Sequence, residues 1–201
     1  IINSYNFIDG ADTLAALVGI IISCLLCYIF YNNSYFFDFI LSFFICFSLL
    51  SFLPFNNSPA KIFMGDSGSL FVGFLFSYLA LKACNLPINN ECNINPVFVL
   101  SILSYQSIDT LRVFLIRLKN KKSPFIADKN HLHHFLIKNK FNHKIISVFA
   151  VIYTLCLSTL TFFFIDYSSI SFFIISFFAI FLIRLRIVFF ICHKISSLLK
   201  F

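Results

Sequence analysis

Long apolar stretches recur along this chain, and only short polar segments separate them. A bilayer-spanning helix needs roughly 20 mostly apolar residues, with a range of about 17–25. The composition agrees, because 60% of the 201 residues are hydrophobic and only 11% are charged, which is too apolar for a soluble domain of this length. We therefore predict one all-α domain over residues 1–201, a polytopic transmembrane helical bundle of about six spans at Leu14–Tyr31, Tyr35–Leu53, Gly68–Ala83, Pro96–Leu118, Ile145–Ile165 and Ile170–Phe190.

The basic residues predict how these spans are oriented. If six spans alternate, all of the 15 Lys and Arg except Lys82 and Arg112 fall on one side, in loops or at the chain ends. Cytoplasmic loops carry an excess of Lys and Arg, so this side, with both chain ends, is predicted to be cytoplasmic. Nucleic acid is not an expected partner, because the basic residues flank spans and accompany no known binding module.

The acidic residues gather on the same side as the basic ones. Five of the eight acids fall at or near the predicted cytoplasmic face, namely Asp9, Asp12, Asp66, Asp109 and Asp128. Carboxylates are the ligands that hard divalent cations prefer, and a basic surface attracts phosphorylated ligands. The pattern therefore indicates a site for a metal ion and a phosphorylated ligand.

The first candidate site segment precedes the first span and contains Asn6, Asp9 and Asp12. On a helix Asp9 and Asp12 share a face, and like charges at that spacing repel unless a cation lies between them. Gly10 would let a ligand approach the backbone closely. The alternative is a solvated helix start, where the helix dipole favours Asp.

The second segment, Lys61–Ser69, precedes the third span and contains two glycines around Asp66. Exposed backbone N–H groups at a helix start suit a phosphate. Asp66 is placed to hold Mg²⁺, which usually takes one or two protein carboxylates together with phosphate oxygens and water. The alternative is an ordinary turn in which Asp66 or Ser67 caps the helix.

The third segment carries His131, His133 and His134 downstream of Asp128. These side chains could bind a metal or a diphosphate. If the segment is helical, His131 and His134 share a face, and a zinc site would need help from His143 or Asp128. The alternative is a basic loop that only fixes topology.

Asp109 and Arg112 lie three residues apart within the predicted fourth span. Ionisable groups inside a span are rare, usually paired and often functional. A structural pair within one helix and a direct catalytic role are both consistent with the sequence.

Taken together, these segments resemble the polyprenyl-phosphate N-acetylhexosamine-1-phosphate transferases. The family motif Asn-x-x-Asn-x-x-Asp-Gly-x-Asp-Gly-Leu matches Asn3 to Leu14, except that Thr13 replaces the last glycine. The motifs Phe-Met-Gly-Asp-Ser-Gly-Ser and Ser-Pro-Phe-x-x-Asp-x-x-His-x-His-His are present without change, and Asp-Thr-Leu with a following basic run matches the segment from Asp109. The His-x-His-His form resembles the N-acetylglucosaminyl-1-phosphate transferase branch.

The resemblance implies a Mg²⁺-dependent enzyme, with Mn²⁺ as the alternative ion. It would move N-acetylhexosamine-1-phosphate from a UDP-sugar to undecaprenyl phosphate on the cytoplasmic face of a bacterial inner membrane, releasing UMP and initiating cell-envelope glycan synthesis. The donor sugar, the glycan and a homodimer are left open. The implied roles are metal binding by Asp66, substrate binding by Asn6, Phe63 and Asp128, and catalysis by Asp9, Asp12, His131, His133 and His134.

One departure from the family also shapes the expectation. The family carries a paired-aspartate segment among further spans that precede the matching region. We therefore expect the chain to correspond to the C-terminal part of such an enzyme and to show no transfer by itself. The alternatives are a non-catalytic remnant of such an enzyme, or a transporter or metal-handling protein that uses the histidines and Asp109.

Overall fold

The computed structural model describes residues 1–86, 94–121, 123 and 131–180. All regular structure in these residues is helical, which confirms the predicted all-α class. The helices are α1 Ile2–Phe7, α2 Leu14–Asn32, α3 Phe36–Asn56, α4 Gly65–Cys84, α5 Pro96–Ile102, α6 Ser104–Lys119, α7 Leu132–Lys138, α8 His143–Phe163 and α9 Ser168–Ile180.

Four of these helices, α2, α3, α4 and α8, are long and apolar enough to cross a membrane, and α5 with α6 would make a fifth span. Their bounds lie close to the predicted spans. The main difference is α4, which begins at Gly65 rather than Gly68 and reaches 20 residues. The glycine-rich motif is thus the first turn of the span itself.

The fourth predicted span is not a single straight helix. α5 and α6 meet at Leu103 with a bend of 79°. In the second half, Asp109 and Arg112 are buried against the segment that begins at His131. There the carboxylate of Asp109 is satisfied by protein hydrogen-bond donors, as a buried charge requires.

The sixth predicted span, Ile170–Phe190, begins as the described helix Ser168–Ile180. Residues 181–201 lie outside the described residues. The six-span count and the cytoplasmic placement of both ends therefore stay predictions.

The bundle is organised around α2, the most buried of the long helices, which packs against α3, α4 and α8. The short helix α1 lies against α4 and α6. Its Tyr5 is fully buried, packs on the ring of Phe76 at 5.3 Å, and donates a hydrogen bond to the carbonyl of Ala15 at 2.7 Å. This anchor fixes the segment that leads into the first motif.

Gly73 of α4 explains how α1 comes so close to a membrane helix. A Cβ at this position would lie 2.8 Å from the carbonyl oxygen of Ile2. Small residues at helix interfaces allow this kind of backbone approach. The start of α1 and the middle of α4 are therefore held together before any polar contact is considered.

Candidate functional site

The acidic loop, residues 8–13 between α1 and α2, docks on the first turn of α4. The Asp9 carboxylate accepts a hydrogen bond from the Gly65 backbone N–H at 3.0 Å. One turn further along α4, the Ser69 hydroxyl lies 2.6 Å from the Asn6 carboxamide oxygen, which can accept its proton. The first two motifs, separated by more than 50 residues, thus form one surface.

Asp9 lies in an environment that resists its charge. Burial raises its pKa to about 6, the Gly65 N–H opposes that shift, and the nearby carboxylate of Asp66 raises the pKa further. Asp66 itself is exposed. Two carboxylates this close repel each other unless a cation lies between them, which is the arrangement a divalent ion favours.

Asp12 points to different partners. Its carboxylate accepts from the Ala60 backbone N–H at 3.3 Å, and its own N–H donates to the Nδ1 atom of His143 at 3.1 Å. The same Nδ1 atom also lies 3.4 Å from Oδ1 of the Asp12 carboxylate, so His143 contacts both the backbone and the side chain of Asp12. Asp12 is largely buried and ties the acidic loop to α8 and to the segment before α4.

Thr13, the one departure within the first motif, occupies a left-handed backbone conformation with φ of 66°. Glycine adopts this conformation freely, whereas a β-branched residue does so only under strain. Hydrogen bonds offset the strain, because the Thr13 hydroxyl lies 2.6 Å from the Asp12 carbonyl and 3.0 Å from the Ser147 hydroxyl. The substitution is therefore accommodated by contacts with α8.

Asn56 is a site-forming residue that the sequence analysis missed. Its buried carboxamide accepts from the Thr13 N–H at 2.9 Å and donates to the Ile62 carbonyl at 3.0 Å, joining the acidic loop to the segment before α4. An Asn at the end of an apolar helix is common at helix termini, so no local sequence signal indicates that Asn56 belongs to the site.

The second motif presents its side chains outward. Phe63 is 56% exposed, and Asp66 lies in the exposed first turn of α4. Gly65 has a φ of 69°, and a Cβ there would meet nothing within 4 Å, so its glycine serves the backbone conformation and not a tight contact. An exposed ring and an exposed carboxylate at a helix start can receive a planar base and a cation.

The three histidines form a continuous row of rings. His131 and His133 stack with ring centroids 6.0 Å apart, and His133 and His134 lie 4.2 Å apart. The condition under which His131 and His134 would share a helical face is not met, because α7 begins at Leu132 and His131 has extended backbone angles before it. Asp128 lies outside the described residues.

His133 is the most buried of the three, and neither ring nitrogen has a hydrogen-bond partner among the described residues. Burial lowers its pKa to about 3, and the neighbouring His134 contributes to the shift. At neutral pH this ring is therefore uncharged. The third motif brings a neutral imidazole, not a cation, into the interior of the site.

Gly10 joins the histidines to the acidic loop. A Cβ at this position would collide with the Nε2 atom of His133, so the glycine lets the His133 ring pack against the loop. Gly10 is also exposed, and the expectation that a ligand approaches its backbone stays a prediction. All three motifs meet at one end of the bundle.

Asp109 and Arg112 form the expected pair within one helix. The Arg112 Nη2 atom lies 2.7 Å from Asp109 Oδ1. The same carboxylate also accepts the Leu132 N–H and lies 3.0 Å from His131 Nδ1. The pair is therefore part of the histidine row's support, which the sequence analysis did not foresee.

The site offers few ligands for an all-protein metal cage. Within residues 1–86, 94–121, 123 and 131–180, no three His, Cys, Asp or Glu side chains are grouped to hold a metal ion. A Mg²⁺ site needs only one or two protein carboxylates together with phosphate oxygens and water.

The helical bundle and its polar end define an integral membrane protein with a site suited to phosphorylated ligands. Residues 1–84 match the family described as glycosyl transferase family 4. Curated relatives align over 72% of the chain, so the similarity extends beyond the residues that the family model matches. The chain belongs to glycosyl transferase family 4.

Three curated relatives show the range of the family. The decaprenyl-phosphate N-acetylglucosaminephosphotransferase of Mycolicibacterium smegmatis is 32% identical over 72% of this chain and 39% of its own length. A probable undecaprenyl-phosphate N-acetylglucosaminyl 1-phosphate transferase of Bacillus subtilis is 33% identical, with the same coverage. The phospho-N-acetylmuramoyl-pentapeptide-transferase of Fervidobacterium nodosum is 34% identical over 74% of this chain and 45% of its own length.

The chain thus spans about two fifths of the length of the first two relatives. No solved structure matches the chain significantly.

Proposed function

We propose that the protein takes part in transfer of N-acetylhexosamine-1-phosphate from a UDP-sugar to undecaprenyl phosphate, with release of UMP, at the cytoplasmic face of a bacterial inner membrane. The carrying observation is the Asp9–Gly65 hydrogen bond, which places a carboxylate of the first motif beside the exposed Asp66 and Phe63 of the second. The names of the relatives support the reaction class.

The chemistry needs little activation of the nucleophile. A phosphomonoester has a second pKa near 6 and is mostly dianionic at neutral pH. The obstacle is repulsion between that dianion and the donor diphosphate. We favour direct attack over a covalent aspartyl intermediate, because the phosphate oxygen is already a competent nucleophile.

The described carboxylates fit a Mg²⁺ ion. Asp66 would hold it, and Asp9 lies close enough for Asp66 to raise its pKa. A bound Mg²⁺ would neutralise the diphosphate and the leaving UMP. Asn6 keeps its carboxamide N–H₂ for a ligand, because its oxygen is engaged by Ser69.

The remaining groups recognise the donor. The exposed ring of Phe63 would stack on uracil, and Asp128 would bind the donor. The histidine row would contact the diphosphate, with His134 its least buried member. Asp12, held by Ala60 and His143, would fix the shape of the acidic loop around the substrate.

The test is an exchange assay in lipid with the purified full-length protein. By this we mean the chain joined to the paired-aspartate spans that the family carries before the matching region. Labelled UMP should enter UDP-N-acetylhexosamine only when undecaprenyl phosphate and Mg²⁺ are both present. Replacing the lipid phosphate with undecaprenol, which lacks the nucleophilic oxygen dianion, is the matched control and should give no exchange. Absence of exchange with any UDP-N-acetylhexosamine would refute the proposal, as would metal uptake into proteoliposomes without exchange.

The proposed orientation has its own test. Single cysteines placed beside Phe63 and beside His131 should resist membrane-impermeant thiol reagents in intact cells and react after the membrane is opened. The control is a cysteine at Lys82, on the opposite side of the predicted topology. Labelling of the His131 position from outside would overturn the cytoplasmic assignment.

A further inference from the structure

The carboxylate of Asp109 is saturated with donors. Its Oδ1 atom accepts from Arg112 Nε at 3.0 Å and Nη2 at 2.7 Å, and the Leu132 N–H lies 3.1 Å from Oδ1 and 3.2 Å from Oδ2. His131 Nδ1 lies 3.0 Å from Oδ2. Asp109, Arg112 and His131 are all at least 95% buried, and Leu132 is buried with them.

This arrangement determines which nitrogen of His131 carries a proton. An ionised carboxylate oxygen only accepts hydrogen bonds, so an unprotonated Nδ1 beside it would set two lone pairs against each other. His131 must therefore be protonated at Nδ1. Its other nitrogen, Nε2, is buried and has no hydrogen-bond partner among the described residues.

The charges in this cluster also balance. Arg112 and Asp109 carry opposite charges, so this pair contributes no net charge beside His131. With Nδ1 holding its proton against Asp109, a second proton on Nε2 makes the ring an imidazolium. An imidazolium oriented in this way can donate Nε2–H to an anionic phosphoryl oxygen.

We propose that Asp109 is a positioning residue for His131: it holds the ring with its proton on Nδ1, so that Nε2 is the nitrogen presented to the donor diphosphate. The same carboxylate binds the first N–H of α7, at Leu132, and so sets where that helix begins. This inference rests on the proposed function for the identity of the ligand, but not for the orientation of the ring.

Asp109→Asn provides a specific test. The two Arg112 donors and the Leu132 N–H would hold the amide oxygen in the place of Oδ1, which turns the amide N–H₂ toward His131. His131 Nδ1 would then have to accept, and the ring would switch to the Nε2–H tautomer. A comparable Asp-to-Asn change in serine proteases leaves the geometry intact and traps the wrong tautomer.

The spectroscopic experiment uses histidine-selective ¹⁵N labelling of the purified full-length protein in nanodiscs. The chain has five histidines, and His131→Gln identifies the signals of this ring. We expect a protonated Nδ1 in the native protein and an unprotonated Nδ1 in Asp109→Asn. If that variant does not fold, Asp109→Asn with Arg112→Gln removes both charges of the pair and still places an amide beside His131.

The kinetic experiment is UMP exchange by the same variants. We expect kcat to fall about 10–100-fold in Asp109→Asn, the loss typical when the partner that orients a functional histidine is changed, with little change in KM for undecaprenyl phosphate. Asp38→Asn is the matched control, because Asp38 is also buried but lies near the start of α3, the end opposite Asn56. It should alter neither readout.

A native His131 protonated only at Nε2 would overturn the proposal, as would a variant with unchanged ¹⁵N signals and unchanged kcat. A switched tautomer with unchanged kcat would refute the catalytic consequence. If the native protein shows no exchange under any condition, the proposed function fails, while the His131 signals still decide whether Asp109 positions the ring.

Discussion

The acidic loop and the histidine row use carboxylates in opposite ways. Asp9 accepts one backbone hydrogen bond and lies beside the exposed Asp66, so its charge remains available to a ligand. Asp109 is buried and bound by Arg112, Leu132 and His131. Asp9 would meet the ligand directly, whereas Asp109 supports the imidazole of His131.

The difference follows from burial. An exposed carboxylate keeps its hydration and can exchange water for a cation, whereas a buried one must be satisfied by protein donors or lose its charge. The same residue type would therefore bind a ligand at one place, whereas at the other it holds neighbouring protein groups in position. Each of the following variants affects one side of this contrast.

The largest effect is expected for Asp66→Asn, which removes the exposed carboxylate. Transfer should fall by about 10²–10³-fold, the usual scale for losing one electrostatic contact to a developing charge. Because that contact strengthens in the transition state, the loss should appear in kcat more than in KM. UMP exchange against Mg²⁺ concentration measures it.

Asp166→Asn is the control for this variant, since Asp166 is exposed in the turn after α8. It should leave exchange unchanged. Turnover near the native level in Asp66→Asn would remove Asp66 from the metal site.

Gly10→Ala should disturb the contact between the two regions. Its Cβ would lie 2.4 Å from His133 Nε2, so the ring or the acidic loop must shift. Overpacking of this kind costs about 1–3 kcal/mol, and exchange should fall about tenfold or more. Thermal unfolding and UMP exchange together measure the effect.

Gly68→Ala is the matched control, because its Cβ would meet only the flexible side chain of Met64. Adding His133→Ala to Gly10→Ala should restore stability without restoring exchange. If Gly10→Ala behaves like Gly68→Ala, the two regions are not coupled through this contact.

The two regions should respond oppositely to pH. The pKa of Asp9 is raised from 3.8 to about 6, so the folded protein keeps a proton that the unfolded chain loses, and this group lowers stability as pH rises from about 4 to 6. The pKa of His133 is lowered from 6.5 to about 3, so this group raises stability over nearly the same interval.

Thermal unfolding between pH 4 and 7 in single variants separates the two contributions. Asp9→Asn should make the increase of stability with pH steeper, and His133→Gln should make it shallower or reverse it. Equal slopes in the native protein and both variants would contradict the contrast in charge environments.

The smallest effect is expected for Ser69→Ala, which removes the hydrogen bond between Ser69 and the Asn6 carboxamide. A hydrogen bond of this kind is worth about 1 kcal/mol, so exchange should change less than tenfold. Ser77→Ala is the control, because both hydroxyls lie 2.8 Å from a carbonyl oxygen one turn earlier but only Ser69 also reaches α1. A larger loss in Ser77→Ala would show that the contact with Asn6 is not the cause.

Much of the fold could be predicted from the sequence. The apolar stretches determine the helices α2, α3, α4 and α8 to within a few residues, because length and hydropathy alone decide whether a segment can cross lipid. The break at Leu103 could not be predicted, because the apolar pattern of Pro96–Leu118 continues through it. The burial of Asp109 against His131 could not be predicted either. Burial of an ion pair is decided by neighbours, not by the apolar pattern around it.

The candidate site divides in the same way. The motif residues Asp9, Asp66 and His131 could be read from the sequence, because their residue types and spacing carry the chemistry of cations and phosphates. The residues that contact them in the folded protein could not be predicted from the sequence. Asn56 on Thr13 and His133 against Gly10 are contacts between distant segments.

The sequence by itself determined an all-α membrane bundle and the family, and it supplied the candidate residues for a cation and a phosphorylated ligand, since these depend on composition and local order. Only the tertiary structure decided which carboxylates stay available to a ligand and which are fully hydrogen-bonded within the protein. Desolvation and hydrogen-bond partners set that division, and both arise when α1, α4, α6 and α7 come together. Asp9 and Asp109 have the same side chain, and only their packing makes one a candidate ligand and the other a support for His131.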